Sequence, residues 1–206
     1  MHLYLTPVAV GYLTQLLLVT LISGYFGLLL RRSGRDPHVV WLTGFFIALT
    51  AFIATLFFEA ALLPTPRLYA VFLQNPFLGA ALTCLLQFAY HFPAPLASLR
   101  REARAALILS GLYTLWETGY AVFRLLQLQG SQILYRPNWS DYVLLLFLLW
   151  VPLSFYRQIL ASSAPGRGRR RWLQPVLHPA TPKARATRGF MLIFVFVAGL
   201  SVFNIL

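Results

Sequence analysis

The chain has 206 residues, 59% of them hydrophobic and 11% charged, with a mean hydropathy of +0.69. That is too apolar and too sparsely charged for a water-soluble domain of this size. A net charge of +12 would point to nucleic acid only if the cations formed one face of a polar surface. Here they sit in short connections between apolar runs, so they read as topology signals and contacts to anionic lipid, and no nucleic-acid partner is expected.

The first apolar run, residues 8–30, is long enough to cross a hydrocarbon core about 30 Å thick at about 1.5 Å per residue. No cationic leader or small-residue cleavage pattern marks it for removal. It stops at Arg31, Arg32 and Arg35. The second run, 39–63, carries Glu59 near its far end and is broken by Pro64 and Pro66. Asn75-Pro76 opens the third, 77–92, with 68–73 either extending it or lying in the interface, and Pro93 and Pro95 close it. Arg100, Arg101, Glu102 and Arg104 lead into the fourth, 105–126. After a polar loop the fifth, 142–156, is almost uniformly Leu, Val and Phe around Pro152, a composition expected to face lipid.

A basic loop, 157–188, comes next. It holds Arg157, Arg167, Arg169, Arg170, Arg171, Lys183, Arg185 and Arg188 with no acid, and its prolines and glycines argue against a folded domain. The sixth run, 189–206, ends the sequence without a polar flank, so a seventh span is expected beyond it.

Placing alternate connections on opposite sides puts the basic loop and the arginines at 31–35 and 100–104 together. Only Arg67, Arg124 and Arg136 fall on the other side. The expected fold is therefore all-α: a polytopic transmembrane bundle of about six spans in the cell membrane, its N-terminus outside and the basic loop cytoplasmic. Trp41, Trp139, Trp150 and Trp172 lie near span ends, where indoles favour the interface.

Glu59 and Glu117 fall inside spans, where an ionisable group is costly and by default marks function. Glu117, Tyr120, Arg124 and Gln127 share one face of the fourth span. Glu59 and Arg124 both lie toward the outer leaflet, so a pair between the second and fourth spans is available. These residues are either structural ties or the lining of an outward-facing polar pocket for a small ligand. Thr83, Gln87 and Tyr90 form a stripe on the third span that reads first as interhelical hydrogen bonds. Ser23, Gly27, Ser110 and Gly111 offer small surfaces for close helix packing. Arg169, Arg170 and Arg171 are topogenic, with a polybasic lipid contact as their functional reading.

Cys84 is the only cysteine, so no intrachain disulfide is possible and its default role is a small core residue. His2, His38, His91 and His178 are scattered, none at metal-ligand spacing. No phosphate loop, nucleophile elbow or other catalytic set is present, so neither enzyme activity nor a cofactor is expected, with His91 and Glu102 the one acid-base pair on an edge. Asn138-Trp139-Ser140 fits a glycosylation sequon.

The segments Tyr12-Leu13-Thr14-Gln15-Leu16-Leu17-Leu18 and Phe88-Ala89-Tyr90-His91-Phe92-Pro93, with an outside N-terminus and short basic inner loops, resemble the N-terminal multi-span sensor region of bacterial histidine kinases and related signalling proteins. The resemblance implies a seven-span input module that passes a signal from the outer leaflet to a cytoplasmic output domain or partner. A homodimer is among the partners it would have. A small transporter or channel subunit, or an assembly subunit of a membrane complex, is the alternative. An inverted repeat of the kind many transporters carry is not evident.

Overall fold

The computed structural model describes residues 5–32, 36–62, 64–127, 139–162 and 181–203. Six α-helices account for nearly all of them: α1 (Pro7–Arg32), α2 (Pro37–Ala61), α3 (Pro64–His91), α4 (Arg100–Gln127), α5 (Trp139–Ser162) and α6 (Pro182–Phe203). A short 3-10 turn, Ala97–Leu99, precedes α4. No strand occurs among the described residues.

Local chemistry sets several of the helix starts. Both α1 and α6 open on Thr-Pro: the Thr6 hydroxyl accepts from the Ala9 amide, and the Thr181 hydroxyl from the Ala184 amide, each at 3.1 Å. Proline occupies the first helical position, where its missing N–H leaves no intrahelical bond unmade. Thr181→Ala is therefore expected to lower stability by about 1 kcal/mol in detergent-solubilised protein, with Thr181→Ser close to neutral. Equal thermal midpoints for the two variants would show that the cap contributes nothing.

The helix bounds differ from the expected runs in ways the backbone explains. The break between α2 and α3 does fall at Pro64, but α3 begins there and continues through Pro76 instead of starting after it. In the first turn Pro66 lacks only an N–H that would have had no partner. Pro76 deprives the Phe72 carbonyl of one bond, a loss that packing on three sides outweighs. The fourth and fifth helices also extend into their charged flanks, to Arg100 and past Arg157. Of the basic loop, Arg157 is thus on α5 and Lys183, Arg185 and Arg188 are on α6. Arg167, Arg169, Arg170 and Arg171 lie outside the described residues, as do His2, His178 and Asn138 of the sequon.

The centre of the bundle is α3, which packs against α2, α4 and α5; α1 lies on α2, and α6 on α5. From Ala81 to Tyr90 every α3 residue except Cys84 is buried. The main core gathers Leu82, Leu86, Phe88 and Tyr90 of α3 with Tyr113 of α4 and Phe147, Val151 and Phe155 of α5. Phe190 of α6 joins it edge-on to Phe88 and Phe92, with ring centroids 5.4 and 4.9 Å apart.

That packing confines the lipid-facing expectation for the fifth helix to one of its faces. Leu144, Phe147, Val151, Ser154, Phe155, Gln158 and Ile159 are buried at helical spacing, while Leu145, Leu146, Leu149 and Leu153 are exposed. Apart from Ser154 and Gln158 both faces are apolar, so hydropathy alone does not tell them apart.

Two glycines mark where helices approach most closely. A methyl group on Gly44 would lie 3.0 Å from the Cys84 sulfur, and one on Gly79 would lie 3.1 Å from the Thr114 hydroxyl. Cys84 thus packs between α3 and α2. Gly27 and Gly111, expected as packing surfaces, meet open space instead. Ser23 does serve a seam: its hydroxyl is 2.8 Å from that of Thr50, joining α1 to α2.

Candidate functional site

Polar contacts tie α3 to its neighbours at two separate levels. Near the start of α1 and the close of α2, Gln74, in the eleventh position of α3, donates to Glu59 at 2.5 Å. Glu59 also lines a cavity of about 330 Å³ with Thr6, Tyr12, Leu56 and Ala60. The cavity is small but sufficient for a compact ligand, and its acid sits near the end of α2 beside the Gln74 amide. Glu59 therefore faces α3, with Gln74 in the place where the sequence offered Arg124.

Arg124 instead stays on its own helix, its Nε donating to the Tyr120 hydroxyl at 2.8 Å and its guanidinium lying 5.1 Å from the ring centre. Glu117 is 2% exposed, deep in the bundle. The structure therefore joins Tyr120 to Arg124 and Glu59 to Gln74. α3 stands between α2 and α4, packing against both.

The denser polar site is at the opposite end. The Tyr90 hydroxyl donates to Glu102 Oε1 at 2.7 Å and accepts from Trp150 Nε1 at 3.0 Å. Gln158 donates to the Tyr90 backbone carbonyl at 2.6 Å, and Gln87 donates to the Ala103 carbonyl at 2.9 Å. The other Glu102 oxygen meets Arg157 at 2.6 Å. Three helices, α3, α4 and α5, are thereby tied at one level. Because Arg157 is half exposed, its ion pair adds at most about 1 kcal/mol. The buried bonds of Tyr90 and Gln158, in contrast, hold groups that have no water to fall back on.

Helical spacing revealed part of this site. The stripe Thr83, Gln87 and Tyr90 is an interhelical seam along its whole length, since the Thr83 hydroxyl lies 3.3 Å from that of Thr114 and the other two bond Ala103 and Glu102 of α4. Spacing does not single out Trp150, Arg157 or Gln158 as members of the site, although Gln158 is the one amide on an apolar helix. His91 places Nδ1 2.8 Å from the Gln87 carbonyl, and its ring lies 6.4 Å from that of Trp41. Among the described residues no group of three or more His, Cys, Asp or Glu side chains is placed to hold a metal ion.

No family model, curated protein or solved structure matches the chain. Fold and composition define its class: an all-helical protein in which four helices, Pro7–Arg32, Pro37–Ala61, Ala70–His91 and Tyr142–Ala161, are long and apolar enough to cross a membrane.

Proposed function

We propose that the chain is a membrane-embedded signal-input module of about six spans, with its N-terminus outside and its basic connections in the cytoplasm. A small ligand or other stimulus acts at the Glu59 cavity, and α3 carries the change to the Tyr90 hub and from there to a cytoplasmic output domain or partner. One observation carries this reading: Gln74, which bonds Glu59, and Tyr90, which organises the opposite end, belong to the same helix. They are separated by about 24 Å at about 1.5 Å per residue. The mechanism is a population shift between two packings of α3, biased at the cavity and read at the hub.

The six-span arrangement draws support from α4 and α6. Ile108, Leu112, Leu115 and Phe123 of α4 are exposed, as are Leu192, Ile193 and Phe196 of α6. Surfaces of that kind are stable in lipid and not in water. The resemblance to kinase sensor regions supplies the class of output.

Hydrogen–deuterium exchange in nanodiscs tests the coupling without knowledge of the ligand. Gln74→Leu removes the Glu59 bond at one end, and exchange is expected to rise in the peptides holding Tyr90, Glu102 and Gln158. A rise confined to the neighbourhood of Glu59 would refute transmission through α3.

A further inference from the structure

A second cavity, of about 390 Å³, opens beside the Tyr90 hub and plays no part in the proposed ligand site at Glu59. Its walls include Pro37, Pro95, Leu96 and Leu99, and its polar groups include Arg100 and His91. Two helices begin at its edge: α2 at Pro37 and α4 at Arg100. The positive ends of both helix dipoles therefore converge on one space.

The charge balance at this edge is uneven. A helix N-terminus favours acids, yet α4 opens with Arg100, Arg101 and Arg104. The one acid in that turn, Glu102, has one oxygen on Tyr90 and the other on Arg157. Among the described residues Arg100, Arg101 and Arg104 have no carboxylate partner. Asp36, just before α2, is exposed and does not line the cavity. Of the three arginines, Arg100 lines the cavity, so a cation without a carboxylate partner faces the space on which the two helix N-termini converge.

We infer that this cavity binds the phosphate of an anionic phospholipid headgroup, with Arg100 as the main charge contact and the proline and leucine walls against the glycerol and upper acyl segments. The apolar wall distinguishes a lipid from a free phosphate. The position agrees with that choice, because the cavity lies where the apolar Ala70–His91 span ends and the cationic turn begins. Such a lipid site is independent of the input-module reading and needs only that the helices sit in a bilayer.

Native mass spectrometry of the purified full chain with added phosphatidylglycerol or phosphatidylcholine tests it. One phosphatidylglycerol per chain is expected to survive detergent removal in preference to phosphatidylcholine. Arg100→Gln is expected to weaken that retention about fivefold to tenfold, the effect of one charge-assisted contact. Ala97→Trp, placed on the cavity wall, is expected to block it sterically. Arg31→Gln removes the same charge from the last turn of α1 and is expected to leave retention unchanged. Equal losses for Arg31→Gln and Arg100→Gln would overturn the site in favour of a general charge effect. So would equal retention of the two lipids, or displacement of phosphatidylglycerol by millimolar inorganic phosphate.

Discussion

Tyr90→Ala is expected to destabilise the folded protein by about 3–5 kcal/mol, as truncation of a large buried aromatic does. Tyr90 is 2% exposed and belongs to the core shared by α3, α4 and α5. The milder Tyr90→Phe keeps the ring and removes only the oxygen that donates to Glu102 and accepts from Trp150. It is expected to cost about 1–3 kcal/mol, because the Trp150 N–H loses its acceptor in a part-buried site. Thermal unfolding in detergent, followed by circular dichroism, orders the three proteins as wild type, Tyr90→Phe, Tyr90→Ala. A Tyr90→Phe midpoint equal to wild type would mean that the hub's hydroxyl bonds contribute nothing to stability, leaving only the ring.

The second large effect is expected at Gly79. Its Cα faces α4 so closely that an added methyl group would sit 3.1 Å from the Thr114 hydroxyl. That hydroxyl has little freedom to withdraw, since it donates to the Ser110 carbonyl at 2.9 Å and lies 3.3 Å from the Thr83 hydroxyl. Gly79→Leu must therefore push α3 and α4 apart, at a cost of about 1–3 kcal/mol from overpacking. Gly79→Ala is expected to cost less, and less again when combined with Thr114→Ala, because the clashing atom is then gone. The double-mutant cycle measures this relief as a coupling between contacting residues. Additive losses would show that Gly79 matters to the helix itself and not to the α3–α4 contact.

These two positions also show how far the sequence alone is legible. Apolar runs bounded by arginine and proline reveal the helices, and the spacing of Thr83, Gln87 and Tyr90 reveals a polar seam along one of them. Pro76 misleads because a proline between apolar runs reads as a boundary, whereas one missing backbone bond is readily tolerated in a helix packed on three sides. Gly44 and Gly79 carry no local mark that separates them from Gly27 and Gly111, since close approach depends on which face meets a neighbour.

The hub is hidden for the same reason. Tyr90 and Gln158 are far apart in the chain, and Glu102 and Arg157 sit in charged flanks that resemble ordinary connections. Only the register of three helices against one another brings them together. Glu59 is legible as an unusual acid, but its partner on α3, Gln74, is not, because a glutamine ahead of Asn75-Pro76 looks like part of a loop.

The central position of α3 has a consequence for how the protein is made. When α3 leaves the ribosome, α1 and α2 already exist, and Glu59 can take up Gln74 at once. The groups that satisfy Gln87 and Tyr90 lie in α4 and α5, which are still to be synthesised. The newborn third helix thus enters its surroundings with one polar end partnered and the other waiting. Tyr90 gains its last partners, Trp150 and Gln158, only once α5 has been made.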